Sequence, residues 1–271
     1  MIGRWCGPVA LALALACAPA LRPPAPAPQA GAAAAESGQA ASELLREAEG
    51  HLARRAQPGE AREAEVRFLA AGEVDPRAAA APYGAIQAKI WRLDHEGGVD
   101  RGALVASAVE AGQRCLAQAG PDPRCDYGLA LALGVQARER RATALDGLKR
   151  MVEHLRRAAV ADPGLDDAGP DRVLALVLVR APGWPLGPGD AEEGLAHARS
   201  AVARAPGHPP NQLALAEALH ATGAGDEARA AARRAVELAR ALPEEPAASA
   251  WIAEGEKLAA ETTTERATPG G

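Results

Sequence analysis

An all-α solenoid of stacked helical hairpins, about ten helices closed by a capping helix, is the fold this sequence predicts. Three observations predict it: the composition, the absence of strand-like alternation, and a self-similarity within the body of the chain. The 271 residues are 48% hydrophobic but only 3% aromatic, and about a quarter are alanine. Ala, Leu, Arg and Glu favour helix, whereas the β-branched and aromatic residues that strands prefer are scarce. An all-β fold is thereby excluded, and the length suits one large domain or two small ones. Positive charge is nearly all arginine, with lysine only at Lys89, Lys149 and Lys257. A GC-rich genome is the simplest cause of that bias, so it carries no functional weight. A net charge of −5 and a pI of about 5.8 argue against a nucleic-acid partner, because phosphate binding needs a basic face.

Two stretches of the body superimpose with a shift of 34 residues. Gly189-Asp190, Gly194, Ala198, Ala201 and Pro206 align with Gly223-Ala224, Ala228, Ala232, Ala235 and Arg240. Gly59, Ala64, Phe68, Ala71 and Pro76 fall at the same relative places, and a further second helix carries Ala158 before Pro163. Small side chains spaced this way let two helix axes approach closely. The pattern resembles the tetratricopeptide repeat, in which a turn, small residues on the second helix and a closing proline recur. It places helix pairs at 42–72, 77–119, 124–161, 170–204 and 210–241, with a cap at 246–260. The second and third pairs are irregular, broken at Glu96-Gly97-Gly98 and Gly120-Pro121-Asp122-Pro123.

Residues 1–16 read as an export signal, with Arg4 followed by an apolar run from Val9 to Ala16. That run is shorter than the roughly 20 residues a bilayer span needs. Leu13-Ala14-Leu15-Ala16-Cys17 resembles the lipobox of bacterial lipoproteins, with Ala14 where Leu is usual, and makes Cys17 the expected lipidation site. Ordinary cleavage at Ala16-Cys17-Ala18 is the alternative. Residues 17–41 are then a lipidated cysteine and an Ala/Pro-rich flexible spacer, 42–260 the repeat domain, and 261–271 a polar tail. The expected location is the periplasmic side of the envelope. Ala18 lacks the aspartate that resembles an inner-membrane retention signal, which favours the outer membrane.

Cys115 and Cys125 flank the Gly-Pro-Asp-Pro turn and are placed for a disulfide in an oxidising compartment; two unpaired thiols are the alternative. No Cys-x-x-Cys pair suggests redox work. The six histidines, His51, His95, His154, His197, His208 and His220, form no His-x-x-x-His pair and read as surface or interface residues rather than ligands. No Gly-x-Ser-x-Gly elbow occurs, and no lysine follows Gly183–Gly189 to make a phosphate loop. No catalytic residue, metal or cofactor is expected.

One hairpin turn is unusual. After Gly169-Pro170-Asp171-Arg172, the run Ala181-Pro182-Gly183-Trp184-Pro185-Leu186-Gly187-Pro188-Gly189-Asp190 places three prolines and three glycines around a tryptophan before Asp190. Pro182 ends one helix, Pro185 and Pro188 stiffen the loop, and Asp190 is positioned to cap the next helix. Trp184 either fills the core beneath it, the simpler reading, or lines a pocket. With Asn211-Gln212-Leu213-Ala214-Leu215-Ala216-Glu217 downstream, this segment resembles the T-component of TRAP transporters, a family of lipid-anchored periplasmic helical-repeat proteins. Family members are richer in aromatics where this chain has Ala, Leu and Val. The resemblance implies a non-catalytic accessory subunit that forms a homo-oligomer, docks a TRAP-type solute-binding protein and handles a hydrophobic solute. The matched positions Gly169, Pro170, Arg172, Pro182, Gly183, Trp184, Pro185, Gly189, Asp190 and Asn211 are expected mainly to shape the fold. Arg172, Trp184 and Asn211 are also binding candidates. In stacked hairpins the first helix of each pair faces the groove, which points Leu213, Glu217 and His220 inward; a solvated polar face is the plainer reading. The alternative function is an envelope scaffold that binds a protein in its repeat groove.

Overall fold

The computed structural model describes residues 30–140 and 144–267. Eleven helices occur among them: α1 Ala30–Ala53, α2 Glu60–Val74, α3 Ala80–His95, α4 Arg101–Ala119, α5 Pro123–Glu139, α6 Ala144–Ala161, α7 Leu165–Arg180, α8 Ala191–Arg204, α9 Pro209–Ala221, α10 Gly225–Arg240 and α11 Ala248–Ala267. Successive helices pair as antiparallel hairpins, α1/α2 through α9/α10, and α11 caps the last. The ends follow elementary signals. Asp100, Asp122 and Asp190 each accept a backbone N–H from the first turn of the helix they precede, and Pro123 and Pro209 open their helices where the missing N–H costs nothing.

Two boundaries differ from expectation. Helix α1 begins at Ala30, inside the segment expected to be spacer, because the alanines after Pro28 have high helix propensity and Ala41 and Ala48 are buried. Helix α11 runs into the expected tail, as far as Ala267. Cys17 and the signal segment lie outside the described residues.

The small residues sit where the axes cross. Ala64, Ala71, Ala158, Gly194, Ala198, Ala201, Ala228, Ala232 and Ala235 are all buried. At Gly194 a Cβ would lie 2.8 Å from Val179 Cγ2 and 3.1 Å from the Ala175 carbonyl oxygen, so a larger residue would push α8 off α7. One core runs from α3 to α7 around Ile86, Tyr127, Leu133, Leu155 and Leu174, and a second from α7 to α10 around Leu195, Leu219 and Ala232. Cys115 and Cys125 are joined by a disulfide with Cα atoms 5.3 Å apart, linking the end of α4 to the start of α5.

Helix α7 starts irregularly. Asp166, Asp167 and Ala168 have φ of 52°, 52° and 63°, a left-handed stretch that costs on the order of 1–2 kcal/mol per residue. The regular turns follow from Gly169-Pro170. First helices lie against one another at α3/α5 and α7/α9, whereas α5 and α7 barely touch.

Candidate functional site

The divergence of α5 from α7 leaves an open apolar cleft of about 410 Å³. Gly134 and Ala137 of α5, Leu148 and Met151 of α6, and Val173 and Val177 of α7 line it, and Ala181 and Pro182 close its end. Arg138 and Arg180 also line it, each with its side chain half-exposed. Their guanidinium groups are already engaged. Arg138 Nη2 donates to Asp94 Oδ1 at 2.6 Å, and Arg180 donates through Nε and Nη2 to both carboxylate oxygens of Glu217, each at 2.6 Å. The Glu217 hydrogen bond holds Arg180 still more firmly as a cation. Among the described residues the lining carries no carboxylate, imidazole, thiol or hydroxyl, and its surface is mainly apolar, which suits apolar groups.

The proline-rich turn stands beside it. Leu186 N and Gly187 N donate to Gly183 O, Gly189 N donates to Pro182 O, and Asp190 N donates to Leu178 O, so the turn closes on its own backbone. At Gly189 a Cβ would fall 2.1 Å from Ala181 O, which reserves that position for glycine. Trp184 neither fills the core nor lines the cleft, contrary to expectation: it is 90% exposed, and Leu186 is 68% exposed. The physical reason is that the turn packs on itself: Gly187 is its buried residue, and a Cβ there would lie 2.5 Å from Pro182 O, so no room inside remains for the indole. The prolines then hold the indole outward. Asp190 caps α8 through Glu193 N at 2.9 Å, as its position suggests.

The remaining sequence candidates fall into three places. Arg172 and Asn211 meet, with Arg172 Nη1 donating to Asn211 Oδ1 at 3.1 Å, but neither is a groove contact. Arg172 also donates to the carbonyls of Asp166 and Asp167 and to Asp166 Oδ2, while Tyr127 Oη donates to the same Oδ2 at 2.8 Å. Fully buried Asn211 donates to the carbonyls of Asp167, Ala201 and Ala205. This network holds the left-handed turn and joins it to α8 and α9. Burial raises the Tyr127 hydroxyl well above its ordinary range, and that of Tyr83 likewise. Leu213 is 5% exposed and lies beneath α11, against Gly255, so the cap covers it and the expectation of an open groove position is corrected. Glu217 is the partner of Arg180, and His220 is half-buried near the end of α9.

Sequence reasoning missed the cleft, whose only local sign is Gly134 within a helix. It also missed a device repeated in adjacent hairpins. His154 on α6 lies 2.7 Å from Asp126 on α5, and His197 on α8 lies 2.7 Å from Asp171 on α7. Both aspartates are buried, and each pair ties a second helix to its own first helix. The signal available was an aspartate early in one helix matched by a histidine 26 to 28 residues later. Among the described residues no group of three or more His, Cys, Asp or Glu is placed to hold a metal ion. No helix among them is long and apolar enough to cross a membrane.

Paired helices of about four to seven turns, short connections, small residues at the crossings and a capping helix define a tetratricopeptide-type solenoid. Solved structures share it. TTC0263, a thermophilic TPR protein of Thermus thermophilus, matches with a TM-score of 0.59 and 22% identity, over 80% of this chain and 98% of that one. PilF of Pseudomonas aeruginosa matches with a TM-score of 0.53 and 17% identity, over 87% of this chain and 95% of that one. No family model and no curated protein matches the chain. At these identities the likeness establishes the fold.

Proposed function

We propose that this protein is a non-catalytic scaffold that binds an apolar segment of a protein partner at the α5–α7 cleft and the Trp184 turn beside it. The observation that carries the reading is Trp184 itself. A monomer gains nothing from a tryptophan 90% in water, whereas rigid exposed aromatics beside apolar recesses are the usual energetic centres of interfaces. Tetratricopeptide-type neighbours support the same reading, because stacked hairpins present extended surfaces to other chains. The test is a tagged pull-down from the native envelope with mass spectrometry, comparing the wild type with Trp184→Ala and Leu186→Ser. The proteins captured by the wild type are expected to be lost from both variants, while their melting temperatures stay within a degree or two of the parent. Unchanged capture would exclude the turn from the interface.

A finer reading, an accessory subunit of a TRAP-type uptake system, is favoured by one further feature. The apolar cleft ends at Ala181 and Pro182, in the same segment that resembles the T-component family. On this reading the protein is anchored through a lipid on Cys17, assembles with copies of itself, and passes a hydrophobic solute to or from a periplasmic solute-binding protein. A solute-binding protein in the eluate, with the bait running as an oligomer, would support it. A monomeric bait accompanied by other envelope proteins and no solute-binding protein would leave the scaffold alone.

A further inference from the structure

Helical repeats touch only their neighbours, and in this chain every helix packs against the next helix or the next but one. Some side-chain contacts reach further: Arg180 Nη2 of α7 lies 3.7 Å from Glu254 Oε1 of α11, and another spans far more of the chain. Arg55, in the turn after α1, donates through Nη2 to Glu245 Oε1 at 2.5 Å, bridging 190 residues to the connection between α10 and α11. The same guanidinium lies over the Trp91 ring of α3, 4.8 Å from its centroid, and Trp91 is stacked on His95 at 3.7 Å. Glu245 is itself fixed, since the same Oε1 accepts the Ala247 N–H at 3.2 Å at the entry to α11. The two charged side chains are 23% and 28% exposed, so water screens them only in part. A cavity of about 370 Å³ adjoins the contact, lined from both ends of the chain by Gln57, Pro58, Trp91 and Pro246. The two ends therefore meet around one arginine without being packed solidly together.

We propose that Arg55, held between Trp91 and Glu245, is a latch that closes the repeat stack end to end and sets its curvature. Because α5 and α7 barely touch, the stack is least braced at its middle. Releasing the latch lets the halves on either side of that junction swing apart, whatever occupies the cleft. A charged, partly hydrated latch beside an open cavity is a contact that can separate and re-form, unlike the alanine-lined crossings within the stack.

The experiment is a spin-label distance measurement on the full chain, with labels at Glu49→Cys on α1 and Arg233→Cys on α10, both exposed positions. Cys6→Ser and Cys17→Ser keep the labels off those sites, and Cys115 and Cys125 are joined to each other. The closed stack is expected to give one narrow distance distribution. Arg55→Glu is expected to lengthen it and at least double its width with helix content unchanged by circular dichroism. Combining Arg55→Glu with Glu245→Arg is expected to restore the narrow distribution. An unchanged distribution in Arg55→Glu would overturn the latch, as would failure of the exchanged pair to restore it.

Discussion

The α7–α10 half and the α5–α7 junction are built from the same unit and behave differently. In the first, Gly194, Ala198, Ala201, Ala228, Ala232 and Ala235 are buried between helices and α7 lies along α9. At the junction the facing side chains are Leu148, Met151, Val173 and Val177, the left-handed turn Asp166–Ala168 re-aims α7, and an apolar cleft opens. The difference teaches that a repeat stack acquires a recess where bulk replaces small residues and an irregular turn offsets the next helix. The recess is kept, rather than collapsed, because the Arg172–Asn211 network fixes that turn.

Substitutions can break this contrast. Ala232→Leu, at a fully buried crossing, is expected to cost about 3 kcal/mol by overpacking, read as a shift in the urea midpoint at constant slope. Leu148→Ala, on the cleft, should cost far less, since its side chain is only partly buried. Equal costs would mean the two regions are packed alike. Reducing the Cys115–Cys125 disulfide is expected to remove about 2–3 kcal/mol, seen as a lower melting temperature with reductant that a Cys115→Ser, Cys125→Ser double variant reproduces without it. Asn211→Ala, which strips a donor from three carbonyls, should cost about 1–2 kcal/mol and increase amide exchange across residues 166–168. The smallest effect concerns pH. Burial lowers the pKa of His208, with Arg172 adding to the effect and Asp167, Asp166 and Glu245 opposing it. The folded state thus binds fewer protons than the unfolded one just below the ordinary value of 6.5. Stability from this group is complete above that value and is lost as pH falls through it. His208→Asn should flatten the loss between about pH 7 and pH 5 in thermal melts.

Much of this molecule is local and readable as such. The hairpins expected at 77–119, 124–161 and 210–241 appear as Ala80–Ala119, Pro123–Ala161 and Pro209–Arg240. Those limits follow from caps, prolines and the spacing of small residues, all of which act within a turn or two of helix. The cap of Asp190 on α8 and the nearness of Cys115 to Cys125 belong to the same class. Ala30–Ala41 reads as spacer only when its alanines are weighed with the prolines before them; taken alone, they favour the helix they form.

Trp184, Leu213 and the cleft lie beyond such reasoning. The outward indole depends on which face of a self-closed turn meets the fold, and Leu213 is covered only because α11 folds back over it. The Arg172–Asn211 pair spans 39 residues and the Arg55–Glu245 pair 190. Repeat number, the limits of the inner hairpins and the capping thus came from the order of residues alone, because helix hydrogen bonds and crossings are short-range, whereas the outer ends of α1 and α11 did not. The recess and the meeting of the ends came from the assembled stack, because each hairpin adds a small rotation and only their sum brings Arg55 to Glu245.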